Sequence, residues 1–295
     1  MEAYIVETRN VSRSFGRRVA VRNVNLRVRR GSIYGFLGRN GSGKTTVLKM
    51  LAGLIRPDTG EIQVNGVEPA RFTVADRHKM GYLAEKQILM PGMRVCDLLR
   101  FTAQFYPDWD SGVCERMLQR FKIDPAQRIR ALSQGTARQV GFLLALAQRP
   151  ELLILDEPAA NLDVVARRQF LDEMLELIRQ EGKTVLLSSH VLSDVERVAD
   201  EVGILKQGTL QISEPLDQLK ETVKQVRFYG FARGVDGFEL PEAFRCRKTR
   251  DEVLATLRLE DEHTLPRLAA AHHCQYEIIH LNLEDLFVEI VTDQE

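Results

Sequence analysis

Apolar and polar positions alternate near the start of the chain, where Val24, Leu26 and Val28 are separated by Asn25, Arg27 and Arg29. That is the period of a half-buried antiparallel strand, and the first thirty residues read as strand. Arg30-Gly31 then turns the chain into Ile33–Leu37, a continuous apolar run suited to a strand buried on both faces. A glycine-rich loop follows, and beyond it Val47, Met50, Leu51 and Leu54 recur at helical spacing until Gly53 and Pro57 end the helix. Two more strand signals flank Asn65-Gly66, a hairpin turn pair.

From Val95 to about Lys122 the pattern turns helical, with Val95, Leu98, Leu99, Thr102 and Phe105 on one face and Pro107 as an interruption. A further helix spans Ala137 to Gln148 and stops before Pro150. Strand Leu152–Leu155, a helix through Phe170, Leu171, Met174, Leu175 and Ile178, strand Thr184–Ser188, a helix from Val191 and strand Val202–Lys206 complete an alternation. Strands alternating with helices imply an α/β fold with a parallel sheet covered on both faces. The helical stretch at about 90–148 reads as an insertion into it. After Gln207-Gly208 a last strand leads to Pro215, where the texture changes. Short strands (226–231, 253–259, 276–279) and helices (265–271, 283–290) then predict a small α+β domain over 216–295, separate from a main domain over 1–215.

Composition narrows the class. With 41 basic and 41 acidic residues the net charge is zero, which gives no reason to expect nucleic acid as a partner. Arg27, Arg29 and Arg30 read as solvated strand positions. Cys96, Cys114, Cys246 and Cys274 form no C-x-x-C pair, the usage expected of reduced thiols rather than of a disulfide framework or a zinc site. The charged start Met1-Glu2 does not fit a signal peptide, and no apolar run reaches the length of a membrane span, so the expected location is cytoplasmic.

Gly38-Arg39-Asn40-Gly41-Ser42-Gly43-Lys44-Thr45, followed by Thr46, fits the phosphate-binding loop G-x-x-x-x-G-K-[ST] between a strand and a helix. Its glycines let backbone N–H groups turn inward onto phosphate oxygens, and the helix after it aims its positive end at the same anion. Lys44, expected on an exposed loop, would reach the β- and γ-phosphates of ATP, and the Thr45 hydroxyl would ligate Mg²⁺. Leu152–Leu155 ends in Asp156 and Glu157. A carboxylate at the strand tip can hold Mg²⁺, and the next one can polarise a water for in-line attack on the γ-phosphate.

Further motifs carry a resemblance. Leu132-Ser133-Gln134-Gly135-Thr136 resembles the L-S-G-G-Q signature of ATP-binding-cassette (ABC) proteins, with Gln134 and Thr136 in place of Gly and Gln. Ala160-Asn161-Leu162-Asp163 is similar to the family's D-loop, and Ser188-Ser189-His190 to its switch histidine at a strand end. Phe15 stands at the place of the aromatic that stacks on adenine. Gly81-Tyr82-Leu83-Ala84-Glu85 matches the segment that usually ends in a glutamine; here Glu85 would sit near the metal. The motifs follow the family's order over residues 3–215. Pro107-Asp108-Trp109-Asp110 and Leu283-Glu284-Asp285-Leu286-Phe287 are similar to single-cassette bacterial exporters.

The resemblance implies a P-loop ABC cassette with an antiparallel β edge, a helical insertion and the C-terminal α+β domain. It implies hydrolysis of ATP with Mg²⁺, with Glu157 as base and His190 at the γ-phosphate. It also implies a head-to-tail dimer, of two copies or with a paralogue, in which Ser133 and Gly135 serve the facing subunit's nucleotide, and it makes Asp163 of the D-loop a further nucleotide-binding residue. The implied role is to power a separate membrane permease, with export as the implied direction. The alternatives are a soluble ABC ATPase outside transport and a nucleotide-dependent regulator. His78, His263, His272, His273 and His280 have no motif context and are expected to be structural or exposed.

Overall fold

The alternation at the start of the chain folds as two strands and not one. The computed structural model describes residues 3–232, 234–235, 237–240, 243–259, 261 and 263–292. β1 (Tyr4–Phe15) pairs antiparallel with β2 (Arg18–Val24) and with β3 (Arg27–Arg29). Val24, Leu26 and Val28 are fully buried and Asn25, Arg27 and Arg29 exposed, as the period requires. The break comes at Asn25, whose side chain accepts from the Asn10 N–H and donates to the Asn23 carbonyl, local bonds that take the place of the ladder.

β4 (Ile33–Leu37) leads through the glycine loop into α1 (Lys44–Leu51). Gly53, at φ +68°, ends this helix before Leu54, which the periodicity placed on its face and which is exposed. β5 (Thr59–Val64) returns to pair with β1. The turn at Asn65-Gly66 forms, but its second strand does not. A single bridge, Val64 to Val67, follows, and residues 69–71 tighten into a 3₁₀ turn at Pro69, which has no N–H to give a ladder.

α2 (Val74–His78) and β6 (Met80–Leu83) precede three helices, α3 (Val95–Ala103), α4 (Ser111–Arg120) and α5 (Gln134–Ala147). Then β7 (Leu152–Asp156), α6 (Val164–Glu181), β8 (Thr184–Ser188), α7 (Leu192–Val198), β9 (Glu201–Lys206) and β10 (Thr209–Pro215) alternate as the pattern requires. The sheet order is β10-β9-β4-β8-β7-β6, and β9, β4, β8, β7 and β6 pair in parallel. Its strands divide residue by residue between two cores. Leu152, Ile154 and Leu186 face the core shared with α1 and the antiparallel sheet, while Leu153, Leu155, Val185 and Leu187 face the core built with α3 to α6. This two-sided burial is why the strands read as unbroken apolar runs. α7 approaches β4 so closely at Gly35 that a Cβ there would lie 2.2 Å from a Val195 methyl.

Asp110 caps α4: its Oδ1 accepts from the Val113 N–H at 2.9 Å and Arg149 donates to its Oδ2 at 3.1 Å. The Val113 N–H first, then Arg149 and Arg116, hold its carboxyl below the usual carboxylate range. The native form is thus the better acid. This stabilisation is complete above the ordinary carboxylate pKa and is lost as pH falls through the depressed native value. Asp110→Ala should cost about 1 kcal/mol at neutral pH, with Asn recovering most of the cap. The neighbouring Trp109, the only tryptophan in the chain, reports the urea midpoint by fluorescence.

Two units divide the chain, Met1–Ser213 and Glu214–Glu295. The second contains α8 (Leu216–Thr222), β11 (Val223–Tyr229), β12 (Arg245–Lys248), β13 (Glu252–Arg258), α9 (Thr264–His272), β14 (Gln275–Ile279) and α10 (Leu283–Val291). Its sheet is antiparallel in the order β12-β13-β11-β14, around Val226, Phe228, Phe238 and Val253. Neither α8 nor β12 is signalled by periodicity. The buried Glu289 of α10 accepts from Thr256 and Arg247 within this unit.

Candidate functional site

The residues after β4 build a cradle. Gly41 and Gly43 have φ +79° and +109°, in the region that favours glycine, and a Cβ on Gly43 would lie 2.4 Å from the Ala20 carbonyl oxygen. Only glycine fits there. Lys44 opens α1 and is 7% exposed, contrary to the expectation of an exposed loop side chain. Its Nζ donates to the carbonyls of Gly38 at 2.6 Å and Arg39 at 3.5 Å. Burial pushes this ammonium below its ordinary pKa, and the carboxylates of Glu157, Asp156 and Glu85 pull it back up.

β7 delivers the acids. Asp156, 1% exposed, accepts on Oδ1 from the Ser188 hydroxyl at 2.6 Å, while its Oδ2 is buried without a partner. Glu157 has φ +54°, a conformation uncommon outside glycine and asparagine, and its N–H donates to the Ser188 carbonyl at 3.1 Å. The left-handed turn aims its carboxylate at the end of β8, where Oε2 lies 2.7 Å from Nδ1 of His190. Phe15, half exposed at the end of β1, has the Arg13 guanidinium 5.0 Å from its ring centroid, and Arg13 donates to Asp58 at 2.7 Å.

These groups converge on one open cleft of about 640 Å³, lined by Phe15, Asn40, Gly41, Ser42, Gly43, Lys44, Thr45, Thr46, Glu85, Asp156, Glu157 and His190. Gly38 and Arg39 lie just behind it, as acceptors for Lys44. Ser133, Gly135 and Asp163 do not line it. Ser133 is exposed and caps α5, accepting from the Thr136 N–H at 3.0 Å and sharing a 2.8 Å bond with the Thr136 hydroxyl. Gly135 packs under Leu162, whose methyl would lie 2.6 Å from a Cβ there, and Asp163 caps α6 through the Ala166 N–H at 2.9 Å.

Sequence reasoning missed Arg138 and the positions of Ser188 and Arg18, which lines the cleft beside the loop. Arg138 is 5% exposed on α5 and donates to four backbone carbonyls: Ala84 at 2.7 Å, Glu85 at 2.6 Å, Asp156, and Glu157 at 2.5 Å. Burial lowers its pKa from the usual guanidinium value, against the pull of Asp156, Glu157 and Glu85. A signal was present, because Arg138 shares the helical face of the buried Phe142 and Ala145. Tyr82 also lies under the site; burial pushes its phenol up to about 12, so it brings no charge.

Fold and cleft together define a P-loop nucleotide-binding protein, with a parallel sheet behind the loop and an antiparallel sheet beside it. The family described as ABC transporter matches residues 21–160. The chain is 31% identical over 217 residues to the ABC transporter ATP-binding protein YtrB of Bacillus subtilis, covering 74% of each. It is 31% identical over 219 residues to the bacitracin transport ATP-binding protein BcrA of Bacillus licheniformis, covering 74% of this chain and 72% of that one. Among solved structures, an ATP-binding subunit of an ABC transporter matches with a TM-score of 0.67 and 28% identity, over 74% of this chain and 92% of its own. A dimeric ATP-binding cassette bound to ADP and phosphate shares the fold at a TM-score of 0.64 and 23% identity, over 72% of this chain and 98% of its own. The chain belongs to the ATP-binding proteins of the ABC transporter family.

Proposed function

We propose that this chain hydrolyses ATP to ADP and phosphate and thereby drives a separate membrane-spanning transport partner. The observation that carries the chemistry is the convergence of Lys44, Asp156, Glu157 and His190 on the cleft beside the glycine loop. The loop N–H groups and Lys44 would hold the phosphates. Asp156 Oδ2, a buried carboxylate oxygen with no protein partner, suits a metal ligand, and Thr45 and Glu85 stand on the same cleft. These residues would hold Mg²⁺, which supplies neutralisation of phosphate charge when bound. Glu157 takes the proton of a water whose oxygen bonds to the γ-phosphorus, and the bond to the β-phosphate oxygen breaks to leave ADP. His190 orients the carboxylate through the 2.7 Å bond and faces the γ-phosphate.

Ser133 and Gly135 lie away from the chain's own cleft, at the N-terminus of a 14-residue helix. That helix end suits an anion brought by a second copy or a paralogue, which supports a head-to-tail dimer around two ATP molecules. The BcrA relative is named for bacitracin transport, and no helix among the described residues is long and apolar enough to cross a membrane. Transport then falls to another chain, and the exposed Ile88, Met90, Phe101 and Phe105 offer apolar surface for contact with it. Phosphate release from Mg-ATP by the purified chain tests the reaction. Nucleotide bound at one per chain without any release would leave a nucleotide-dependent regulator instead.

Phe15 should stack on adenine with its free face, the other being covered by Arg13. A base stack contributes about 1–3 kcal/mol, so Phe15→Ala should raise KM for ATP roughly tenfold with little change in kcat. Phe15→Tyr should be mild. Equal ATP affinity in Phe15→Ala and wild type, by titration with a fluorescent analogue, would reduce Phe15 to a packing residue.

A further inference from the structure

Arg138 is a buried cation that spends its bonds on carbonyl oxygens. Its guanidinium donates to the carbonyls of residues 84 and 85 at the end of β6 and of 156 and 157 at the end of β7. Those two chain ends carry Glu85, Asp156 and Glu157 into the cleft. Four bonds between a charged fork and neutral acceptors fix four peptide planes, a stronger tether than neutral donors give.

The effect concentrates on Glu157. The peptide before it is held at both poles, its carbonyl (Asp156) by Arg138 and its N–H by Ser188. The peptide after it is held by Arg138 at the Glu157 carbonyl, and the next residue, Pro158, has no N–H to hold. Glu157 thus sits at φ +54° between two immobilised peptide planes. A left-handed glutamate persists only where its surroundings over-determine it, and Arg138 is the common element of both restraints. One turn further along α5, a Cβ on Gly141 would fall 1.8 Å from the Gln87 amide nitrogen, so the Gln87 side chain, two residues after Glu85, packs on the same helix face.

We propose that Arg138 is a positioning residue for hydrolysis, holding Glu157 in the backbone conformation that points its carboxylate at the attacking water. The proposal rests on the reading of Glu157 as the base. It predicts a loss in kcat with little change in nucleotide affinity, because none of the four bonds goes to the phosphate loop.

The test uses the full chain and the variants Arg138→Met, Arg138→Lys and Glu157→Gln. Arg138→Met should lower kcat by roughly 30-fold, less than the roughly 100-fold or more that loss of the general base itself brings, with KM and fluorescent-ATP affinity within about threefold of wild type. Arg138→Lys, which keeps the charge and part of the donor set, should recover part of kcat. In the Glu157→Gln background, under single-turnover conditions, Arg138→Met should add less than about a twofold further loss, since both changes disable one group. An unchanged kcat in Arg138→Met overturns the proposal. So does the same fold-loss in both backgrounds, or a parallel loss of ATP binding in folded protein. If Arg138→Met does not fold, the kcat-against-KM split of Arg138→Lys and its cycle with Glu157→Gln decide by the same criteria. A wild-type chain that binds no ATP removes the nucleotide reading, and the proposal with it, a result distinct from each of these.

Discussion

Glu157→Gln should bind ATP as wild type does and hydrolyse it at least about 100-fold more slowly, the lower end of what a general base contributes. The amide keeps the size and the hydrogen-bonding reach to His190 but takes up no proton. With the γ-phosphate left in place, Lys44 and His190 of one chain and Ser133 and Gly135 of another would keep hold of it. Nucleotide buried in an interface stabilises the assembled form. Size-exclusion chromatography should therefore show a dimer with ATP that ADP does not support. Full turnover by the variant would remove Glu157 from the role. Arrested hydrolysis without dimer at high protein concentration would leave the base in place and give the second half of each site to a paralogue or a transport partner.

Lys44→Ala should weaken ATP binding roughly 100-fold, from loss of charged hydrogen bonds of about 1.5–3 kcal/mol. The structure adds a qualification to the simple motif argument. Lys44 is buried and its ammonium already holds the Gly38 carbonyl, so the alanine variant also loosens the loop. Lys44→Met, which keeps the aliphatic stem, separates packing from charge. Both variants should lose binding while the thermal midpoint falls more in Lys44→Ala. Nucleotide affinity near that of wild type in either variant would defeat the phosphate-loop assignment.

What the sequence made legible follows from where each segment lies. β4 and β7 are buried on both faces, so Ile33–Leu37 and Leu152–Leu155 carry no charged residue and stand out as runs, and each leads into a motif whose chemistry is local. The phosphate loop and the Asp156-Glu157 pair were readable for that reason. At Asn65-Gly66 the expected hairpin does not form, because a turn pair states where the chain reverses and not whether a ladder follows it. β12 carries no apolar alternation because it is an edge strand of four residues, Arg245–Lys248, three of them basic, with only Cys246 packed against the core. α8 is a seven-residue helix, too short to show a period. Arg138 lay outside any motif, and its meaning depends on carbonyls 54 and 19 residues away that only the folded sheet brings to one point.

The left-handed backbone at Glu157 sets a conflict of interest at one position. Glycine or asparagine takes that conformation more cheaply than glutamate. A library screened for heat resistance alone should therefore enrich such replacements at 157, and the survivors would look improved by every folding criterion while having lost the carboxylate proposed as the base. Stabilisation campaigns on this chain need position 157 held constant, or hydrolysis included in the selection.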